Sequence, residues 1–232
     1  MKKQTLVVMG NGPSLKEVNF ELLNNFDCFG LNSAYRAYER LNWWPKYHGC
    51  FDHVVTRSHS QNFKNLIEGK NPIERFFYLE DLSQSEKLQK INLLPFRSSN
   101  KWNNSEADFE NFNDGGNSGI NACQVGVCLG YKKIILVGVD CNYVEHISGV
   151  KETREGHLEV TEDLSENPNY WFGDYQQKGD KYNVPRAEKF HLIPWEEFSI
   201  KAKVKGIEII NCSSKTKLDC FPISTLEKEI AP

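Results

Sequence analysis

The sequence lacks an apolar run of about 20 residues, the length that a membrane-spanning helix needs. It also lacks a basic stripe, because acidic and basic residues are interspersed and the formal net charge is −3. That balance argues against nucleic acid as a partner. The apolar run at residues 6–9 is too short for the core of a signal peptide. We therefore expect a cytoplasmic protein without a membrane span, and peripheral contact with the inner membrane stays open.

Paired metal and disulfide motifs are missing as well. The seven cysteines form no Cys-x-x-Cys pair, and the six histidines form neither His-x-His nor His-Glu-x-x-His. Because a zinc site needs such ligand spacing, no zinc site is expected, and the cysteines are expected to be free thiols in a reducing compartment. Five cysteines lie in apolar strand or helix patterns: Cys28, Cys50, Cys123, Cys128 and Cys141.

Short apolar runs alternate with helical patterns through most of the 232 residues, and no internal repeat is present. This alternation predicts an α/β fold: one Rossmann-like domain spanning residues 1–232, with a mostly parallel sheet and helices on both faces. Residues 81–117 carry few periodic apolar positions, and we expect a loop that leads into a buried helix. Strands are predicted at residues 4–9, 27–31, 47–51, 75–79, 134–139 and 207–210.

One long segment, residues 141–185, is polar and rich in aromatic residues. A connection of this length is rare in a compact domain and is often a lid or a binding loop. We therefore expect it to be a lid-like insertion, and we refer to it below as the insertion. An aromatic satellite core or an oligomer contact would give the same composition, and a homo-oligomer stays open.

The strongest motif is the glycine turn, Gly10-Asn11-Gly12-Pro13-Ser14-Leu15, directly after the first strand. Glycines let the backbone approach a phosphate closely, and a helix start offers free N–H groups. Leu15 occupies the third glycine position of the dinucleotide fingerprint, and the Gly-Lys-Ser/Thr of a P-loop is absent. The turn is thus a candidate nucleotide cradle of another kind, or an ordinary tight turn.

Other predicted strand and helix ends are polar too. In an open parallel sheet, ligands bind beyond the carboxyl ends of the strands, which here carry Asn32, Asp52 and Asp140. Asp52 and Asp140 suit a metal, a sugar or hydrogen bonds to neighbouring backbone. Ser118-Gly119 forms a second candidate cradle or a plain N-cap. The sequence has no Asp-x-Asp at these ends, which favours a metal-independent reaction.

These residues resemble a known group. The glycine turn, Asn117-Ser118-Gly119 and Gly138-Val139-Asp140 are similar to motifs of bacterial sialyltransferases of glycosyltransferase family 42 and of related motility accessory factor type proteins. The resemblance implies a modified nucleotide-sugar transferase fold with a lid, a CMP-sugar donor and no other cofactor. It implies that Asn11, Asn32, Ser118 and Gly119 lie near the nucleotide. Together with the glycine turn and the polar strand ends, the predicted nucleotide-binding residues are Gly10, Asn11, Gly12, Asn32, Asp52, Ser118, Gly119 and Asp140, although the sialyltransferases carry Asn where Asp52 stands.

The resemblance also implies catalytic residues. By rough alignment, Asp174 stands where the sialyltransferases carry a catalytic histidine, and a carboxylate can also accept a proton. Asn142 replaces their tyrosine, with Tyr143 next to it. Tyr143, Asn142 and Lys178 would stabilise the departing phosphate. The predicted function is transfer of sialic acid or a similar acidic sugar to a bacterial cell-surface glycan, as in polysaccharide or lipooligosaccharide biosynthesis.

Two alternatives stay open at this point. Archaeal pterin pyrophosphokinases resemble the same superfamily and share a Gly-x-Gly-Pro-Ser turn. That reading implies ATP and Mg²⁺, with Asp52 and Asp140 as metal ligands. A non-catalytic nucleotide- or glycan-binding relative would keep the fold and lose the base.

Overall fold

The central sheet of the computed structural model, which describes residues 5–95, 106–154 and 156–230, has seven strands that are all parallel. Their order across the sheet is β12-β8-β1-β2-β3-β4-β5. This architecture confirms the predicted Rossmann-like α/β fold. The strands are β1 Thr5–Met9, β2 Asp27–Leu31, β3 Tyr47–Cys50, β4 Arg75–Tyr78, β5 Leu88–Lys90, β8 Lys133–Val137 and β12 Glu208–Asn211.

The sheet is buried on both faces because its central strands are unbroken apolar runs. In β1, Leu6 and Val8 point into one apolar cluster, whereas Val7 and Met9 point into the other. Helices α5 and α6 cover the first face, and α2 and α4 cover the second. The helices are α1 Phe20–Leu23, α2 Tyr35–Tyr38, α3 His53–Ser58, α4 Ser60–Glu68, α5 Ser118–Cys128, α6 Ile193–Val204 and α7 Leu226–Ile230.

The insertion is folded. It forms an antiparallel sheet of three strands in the order β11-β10-β9. A separate apolar cluster of Leu158, Val160, Tyr182 and Val184 stabilises it. The insertion is thus a small subdomain rather than a structureless connection. Its strands are β9 Val150–Arg154, β10 His157–Val160 and β11 Lys181–Asn183.

The segment predicted as a loop contains short strands. Besides the edge strand β5, it holds β6 Leu93–Leu94, which pairs in parallel with β7 Phe112–Asn113. Residues 96–105 of that prediction lie outside the described residues. All seven cysteines are free thiols. Within the described ranges, no helix is both long and apolar enough to cross a membrane.

Candidate active-site cleft

A cleft of about 760 Å³ lies at the carboxyl edge of the sheet, between the strand ends and the insertion. The sequence predicted this location from the polar strand ends. Because parallel strands all end at this edge, residues far apart in sequence meet here. Of the twelve predicted site residues, the cleft is lined by Gly10, Asn11, Asn32, Asp52, Ser118, Gly119 and Tyr143.

The glycine turn is held firmly against β8. The backbone N–H groups of Gly10 and Gly12 donate to the carbonyl oxygens of Val137 and Gly138, each at 2.8 Å. A Cβ on Gly10 would clash with the carbonyl oxygen of Gly138, so only glycine fits where β1 and β8 end side by side. Two backbone N–H groups of the turn are therefore used to hold the turn in place and are not free to bind a ligand.

The Asp140 side chain also holds the glycine turn in place, through Ser14. Its Oδ2 accepts a hydrogen bond from the backbone N–H of Ser14 at 2.8 Å, and its Oδ1 accepts one from the Ser14 hydroxyl. The Asp140 side chain is buried and does not line the cleft. Its place in the fold is to hold the start of the 3-10 turn Pro13–Glu17.

Two buried carbonyl oxygens in the cleft wall have no donor among the described residues. The Asn11 side chain donates through Nδ2 to the carbonyl oxygen of Leu31 at 3.1 Å, which leaves its Oδ1 without a partner. The Oδ1 of Asn32 is also unpartnered, and Asn32 has a left-handed φ of 53°. Unsatisfied buried acceptors are costly, so a ligand that donates N–H or O–H groups would be stabilised here.

The opposite wall begins at α5. Asn117 is the N-cap of this helix, because its Oδ1 accepts a hydrogen bond from the backbone N–H of Ile120 at 3.0 Å. Ser118 and Gly119, the first two residues of α5, line the cleft. A Cβ on Gly119 would lie 2.9 Å from Cζ2 of Trp195, so this position is tightly packed as well.

Asp52 connects the sheet to the insertion. Its Oδ1 accepts hydrogen bonds from the backbone N–H groups of Val54 and Val55 at 2.7 and 3.1 Å, and thereby caps α3. Its Oδ2 accepts from Nδ2 of Asn183 at 2.9 Å. Both carboxylate oxygens of Asp52 are thus hydrogen-bonded within the protein. This agrees with the third of the roles considered for Asp52, hydrogen bonding to neighbouring backbone.

Three of the four predicted catalytic residues do not line the cleft. Asp174 pairs with Arg40 at 2.9 Å, and both side chains are about half exposed, at 53% and 44%. Asn142 and Lys178 are exposed. The insertion folds so that Tyr170 and Tyr175 face the cleft, which leaves the intervening Asp174 outside it.

The fourth predicted catalytic residue, Tyr143, lies against a histidine that the sequence analysis had not assigned to the site. The rings of Tyr143 and His191 have centroids 4.6 Å apart, and both residues line the cleft. Burial lowers the pKa of His191 to about 4, although a backbone hydrogen bond to Pro185 acts in the opposite direction. The imidazole is therefore neutral at neutral pH, the form in which one ring nitrogen can accept a hydrogen bond.

His191 sits on an unusual piece of backbone. Residues Ala187–Leu192 form a π-helix, which is rare and often marks functional sites. Arg186, directly before it, has a left-handed φ of 30°. The residue pattern here is that of a continuous helix and does not predict a π-helix, so the position of His191 at the cleft could not be predicted from the sequence.

A buried polar cluster also went unpredicted. The Arg36 guanidinium binds Asp180 through two contacts, and the Nε2 atom of His59 lies 3.4 Å from Oδ1 of Asp180. The Nδ1 atom of His59 hydrogen-bonds to the Tyr35 hydroxyl at 3.0 Å. Burial lowers the pKa of His59 to about 4, although the Asp180 carboxylate acts in the opposite direction. Both His59 and Asp180 line the cleft.

The described ranges offer no obvious metal site. No group of three or more His, Cys, Asp or Glu side chains there is arranged to hold an ion. Of the two carboxylates predicted for the magnesium alternative, Asp140 binds Ser14 and Asp52 binds Asn183 and the start of α3.

With this geometry in place, the chain was compared with known proteins. A family model described as "6-hydroxymethylpterin diphosphokinase MptE-like" matches residues 1–146, which include β1, the glycine turn and β8. The chain belongs to the MptE-like family. No curated protein matches the chain.

The MptE-like chain also shares its fold with solved transferase structures. The α-2,3-sialyltransferase Cst-I of Campylobacter jejuni is 18% identical, with a TM-score of 0.52, over 97% of this chain and 81% of that one. CstII of the same organism, solved with the substrate analogue CMP-3FNeuAc, is 17% identical with a TM-score of 0.53, over 96% of this chain and 86% of that one. These matches confirm the predicted sialyltransferase resemblance at the level of fold.

A third structure confirms the other half of that resemblance. The MAf glycosyltransferase of Magnetospirillum magneticum AMB-1 is 11% identical with a TM-score of 0.52. The match covers 97% of the MptE-like chain but only 34% of the MAf chain. The MptE-like chain therefore corresponds to about one third of that larger protein.

Proposed function

We propose that this chain is a metal-independent glycosyltransferase. It transfers sialic acid or a similar acidic sugar from a CMP-activated donor to a glycan acceptor destined for the cell surface. The nucleotide sugar and the acceptor are its two ligands, and it acts in the cytoplasm or at the inner face of the membrane.

The observation that carries this proposal is the extent of the fold likeness. The MptE-like model ends at residue 146, before nearly all of the insertion and before the His191 wall. The likeness to the sialyltransferases extends over 96–97% of the chain and so includes the segments that close the cleft. An insertion of this kind, folded over a nucleotide cleft, limits hydrolysis of a reactive donor.

The nucleotide end of the cleft suits a CMP moiety. A cytosine amino group and ribose hydroxyls are hydrogen-bond donors, and the unpartnered Oδ1 atoms of Asn11 and Asn32 are acceptors. The N-terminal turn of α5 at Ser118-Gly119 supplies the positive end of a helix dipole for the phosphate.

For the chemistry, the acceptor hydroxyl attacks the anomeric carbon of the donor sugar. The bond from that carbon to the phosphate oxygen breaks, and CMP leaves with the electron pair. His191 takes the hydroxyl proton, and the Tyr143 hydroxyl donates a hydrogen bond to the departing phosphate. Asp174, the base that the resemblance implied, lies outside the cleft and is replaced in this role by His191.

Calorimetric titration with CMP, UMP, AMP and GDP tests the donor class directly. The proposal expects CMP to bind most tightly and binding to persist in EDTA. Equal affinity for the four nucleotides would remove the CMP-sugar claim.

The family description favours a second candidate, a magnesium-dependent diphosphokinase acting on a pterin. In that reaction Asp52 and Asp140 would have to hold the ion, but both carboxylates are hydrogen-bonded within the protein. Incubation with ATP, Mg²⁺ and 6-hydroxymethylpterin distinguishes the two. Formation of a pterin diphosphate that stops in EDTA would favour this candidate over sugar transfer.

A further inference from the structure

A second cavity adjoins the main cleft. It has a volume of about 550 Å³ and lies between α3 and the insertion sheet. We refer to it as the annex. Its lining residues are Val54, Arg57, Ser58, Thr153, Arg154, His157, Gly179 and Lys181.

The annex and the cleft are adjacent and share part of their lining. Val54, His157 and Lys181 line both cavities. The boundary between them is fixed, because the backbone N–H of Lys181 donates to Oγ of Ser58 at 2.8 Å. A ligand at the insertion end of the cleft therefore lies next to the annex, on the other side of the Ser58–Lys181 contact between α3 and β11.

The charge of the annex is one-sided. Arg57, Arg154 and Lys181 line it together with His157, and no carboxylate does so within the described residues. The Arg154 side chain is exposed and has no ion pair or side-chain hydrogen bond among the described residues. The Lys181 ammonium lies 4.0 Å from Glu159, at the limit of an ion pair.

Only one of these cations is tied to a carboxylate at short range. The Nε atom of Arg57 contacts Oε1 of Glu80 at 3.0 Å, and the Arg57 side chain remains 72% exposed. Arg186 extends the positive surface into the cleft, with its Nη2 about 4.0 Å from the Cβ position of Gly156. Guanidinium and ammonium groups arranged around a cavity are suited to a phosphate or a carboxylate.

We propose that the annex binds an oxyanion, a phosphate or carboxylate group, carried by the acceptor substrate. That the anion belongs to the acceptor rests on the proposed function. The binding of an anion at the annex does not. Gly10 and Asn11 of the glycine turn line the cleft but not the annex, and the annex adjoins the cleft through residues of α3 and the insertion sheet. The nucleotide and the anion thus occupy different places.

Direct binding tests the annex without reliance on turnover. Glucose 6-phosphate, glucuronate and glucose are titrated into the full chain by calorimetry, with and without saturating CMP. We expect both anionic sugars to bind more tightly than glucose, more weakly at higher salt, and equally well in the presence of CMP. Whichever of the two binds more tightly identifies phosphate or carboxylate as the preferred group.

Variants make the test local. Arg154→Gln and Lys181→Gln are each expected to weaken binding of the preferred anion by about 5-fold, the upper range for a partly exposed charge pair. Lys151→Gln is the matched control, because Lys151 is exposed on the same strand β9 but does not line the annex. It removes the same charge and should leave the affinity unchanged.

Several results would overturn the assignment. They are equal affinity for glucose and the anions, an equal effect of Lys151→Gln, or competition between CMP and the anionic sugars. Failure of the proposed function appears separately, as absence of CMP preference in the nucleotide titrations, and it would leave selective anion binding at the annex intact.

Discussion

Arg36 and Asp180 form a buried, two-pronged ion pair that joins α2 to the insertion. The Nη1–Oδ2 and Nη2–Oδ1 distances are 2.5 and 3.1 Å, and the two side chains are only 9% and 12% exposed. Asp180 also accepts a hydrogen bond from the backbone N–H of Gln177 at 2.8 Å. The insertion is therefore anchored through a charge that water does not screen.

Loss of this pair should destabilise the protein strongly. Asp180→Asn leaves the Arg36 guanidinium buried without its counter-charge, which costs about 3–5 kcal/mol in comparable pairs. Asp174→Asn is the matched control, because its pair with Arg40 is about half exposed and should contribute less than about 1 kcal/mol. Urea unfolding of both variants gives the two free energies. Similar losses of unfolding free energy in the two variants would mean that the buried Arg36–Asp180 pair stabilises the protein no more than the exposed Arg40–Asp174 pair.

The base assignment predicts a kinetic difference between two residues. His191→Gln should lower kcat about 10²- to 10⁴-fold, the usual contribution of a general base, with CMP affinity unchanged. Asp174→Asn should leave kcat close to that of the unaltered protein, since this carboxylate does not line the cleft. In the ligand-free protein the pKa of His191 is lowered to about 4, so kcat/KM should fall only as the pH drops towards 4. The reverse pattern between the two variants would restore Asp174 as the base.

Much of the site could be predicted because strand ends are local features. The turn after β1, Asn32 after β2 and Asp52 after β3 follow apolar runs in the sequence, and parallel topology brings such ends to one edge. The three-stranded insertion sheet was not predicted. Its strands have three to five residues, and β9 is mostly exposed, so they carry little apolar periodicity.

The direction of individual side chains and the pairing of residues far apart in sequence could not be predicted. Asp174 and Tyr175 are neighbours, and one faces Arg40 while the other faces the cleft. Arg36 and Asp180 are 144 residues apart, and neither lies in a motif. A single sequence contains no signal for such contacts, because they depend on how the insertion packs on α2.

Asn32 allows backbone strain to be separated from ligand contact. Asn32→Gly accepts the φ of 53° without strain and removes only the unpartnered amide. We expect it to weaken CMP binding about 10-fold, the value of one lost hydrogen bond, with stability maintained. Asn32→Ala should lose the same affinity and in addition about 1 kcal/mol of stability, because alanine is strained in the left-handed region. Unchanged CMP affinity in the glycine variant would exclude Asn32 from the nucleotide site.

Buried histidines predict how stability depends on pH. Burial lowers the pKa of His48 to about 3 and the pKa values of His59 and His191 to about 4, from an ordinary 6.5. Between those values and 6.5 the unfolded chain binds more protons than the folded one, so stability decreases as the pH falls through this range. The contribution of these histidines should level off above about pH 7.5, one unit above the unfolded value, where they are neutral in both states.

Thermal unfolding between pH 8 and pH 4 measures this dependence. His59→Gln should reduce the slope, because it removes one group that the folded state keeps neutral. His146→Gln, at an exposed position, should leave the slope unchanged. A melting temperature that is flat down to pH 4 would show that these histidines titrate alike in the folded and unfolded chain.

Asp140 either positions the glycine turn or holds a metal ion, and its variants distinguish the two roles. Asp140→Asn replaces one carboxylate oxygen by an amide that cannot accept from both the Ser14 N–H and its hydroxyl, so about 1–3 kcal/mol of stability should be lost. In the double variant with Ser14→Ala, part of that loss is already incurred, and the two losses should not add. Urea unfolding of the four proteins completes the cycle, once in EDTA and once in Mg²⁺. Additive losses would show that Asp140 does not hold the turn through Ser14, and a coupling that Mg²⁺ changes would place Asp140 on an ion and favour diphosphoryl transfer over sugar transfer.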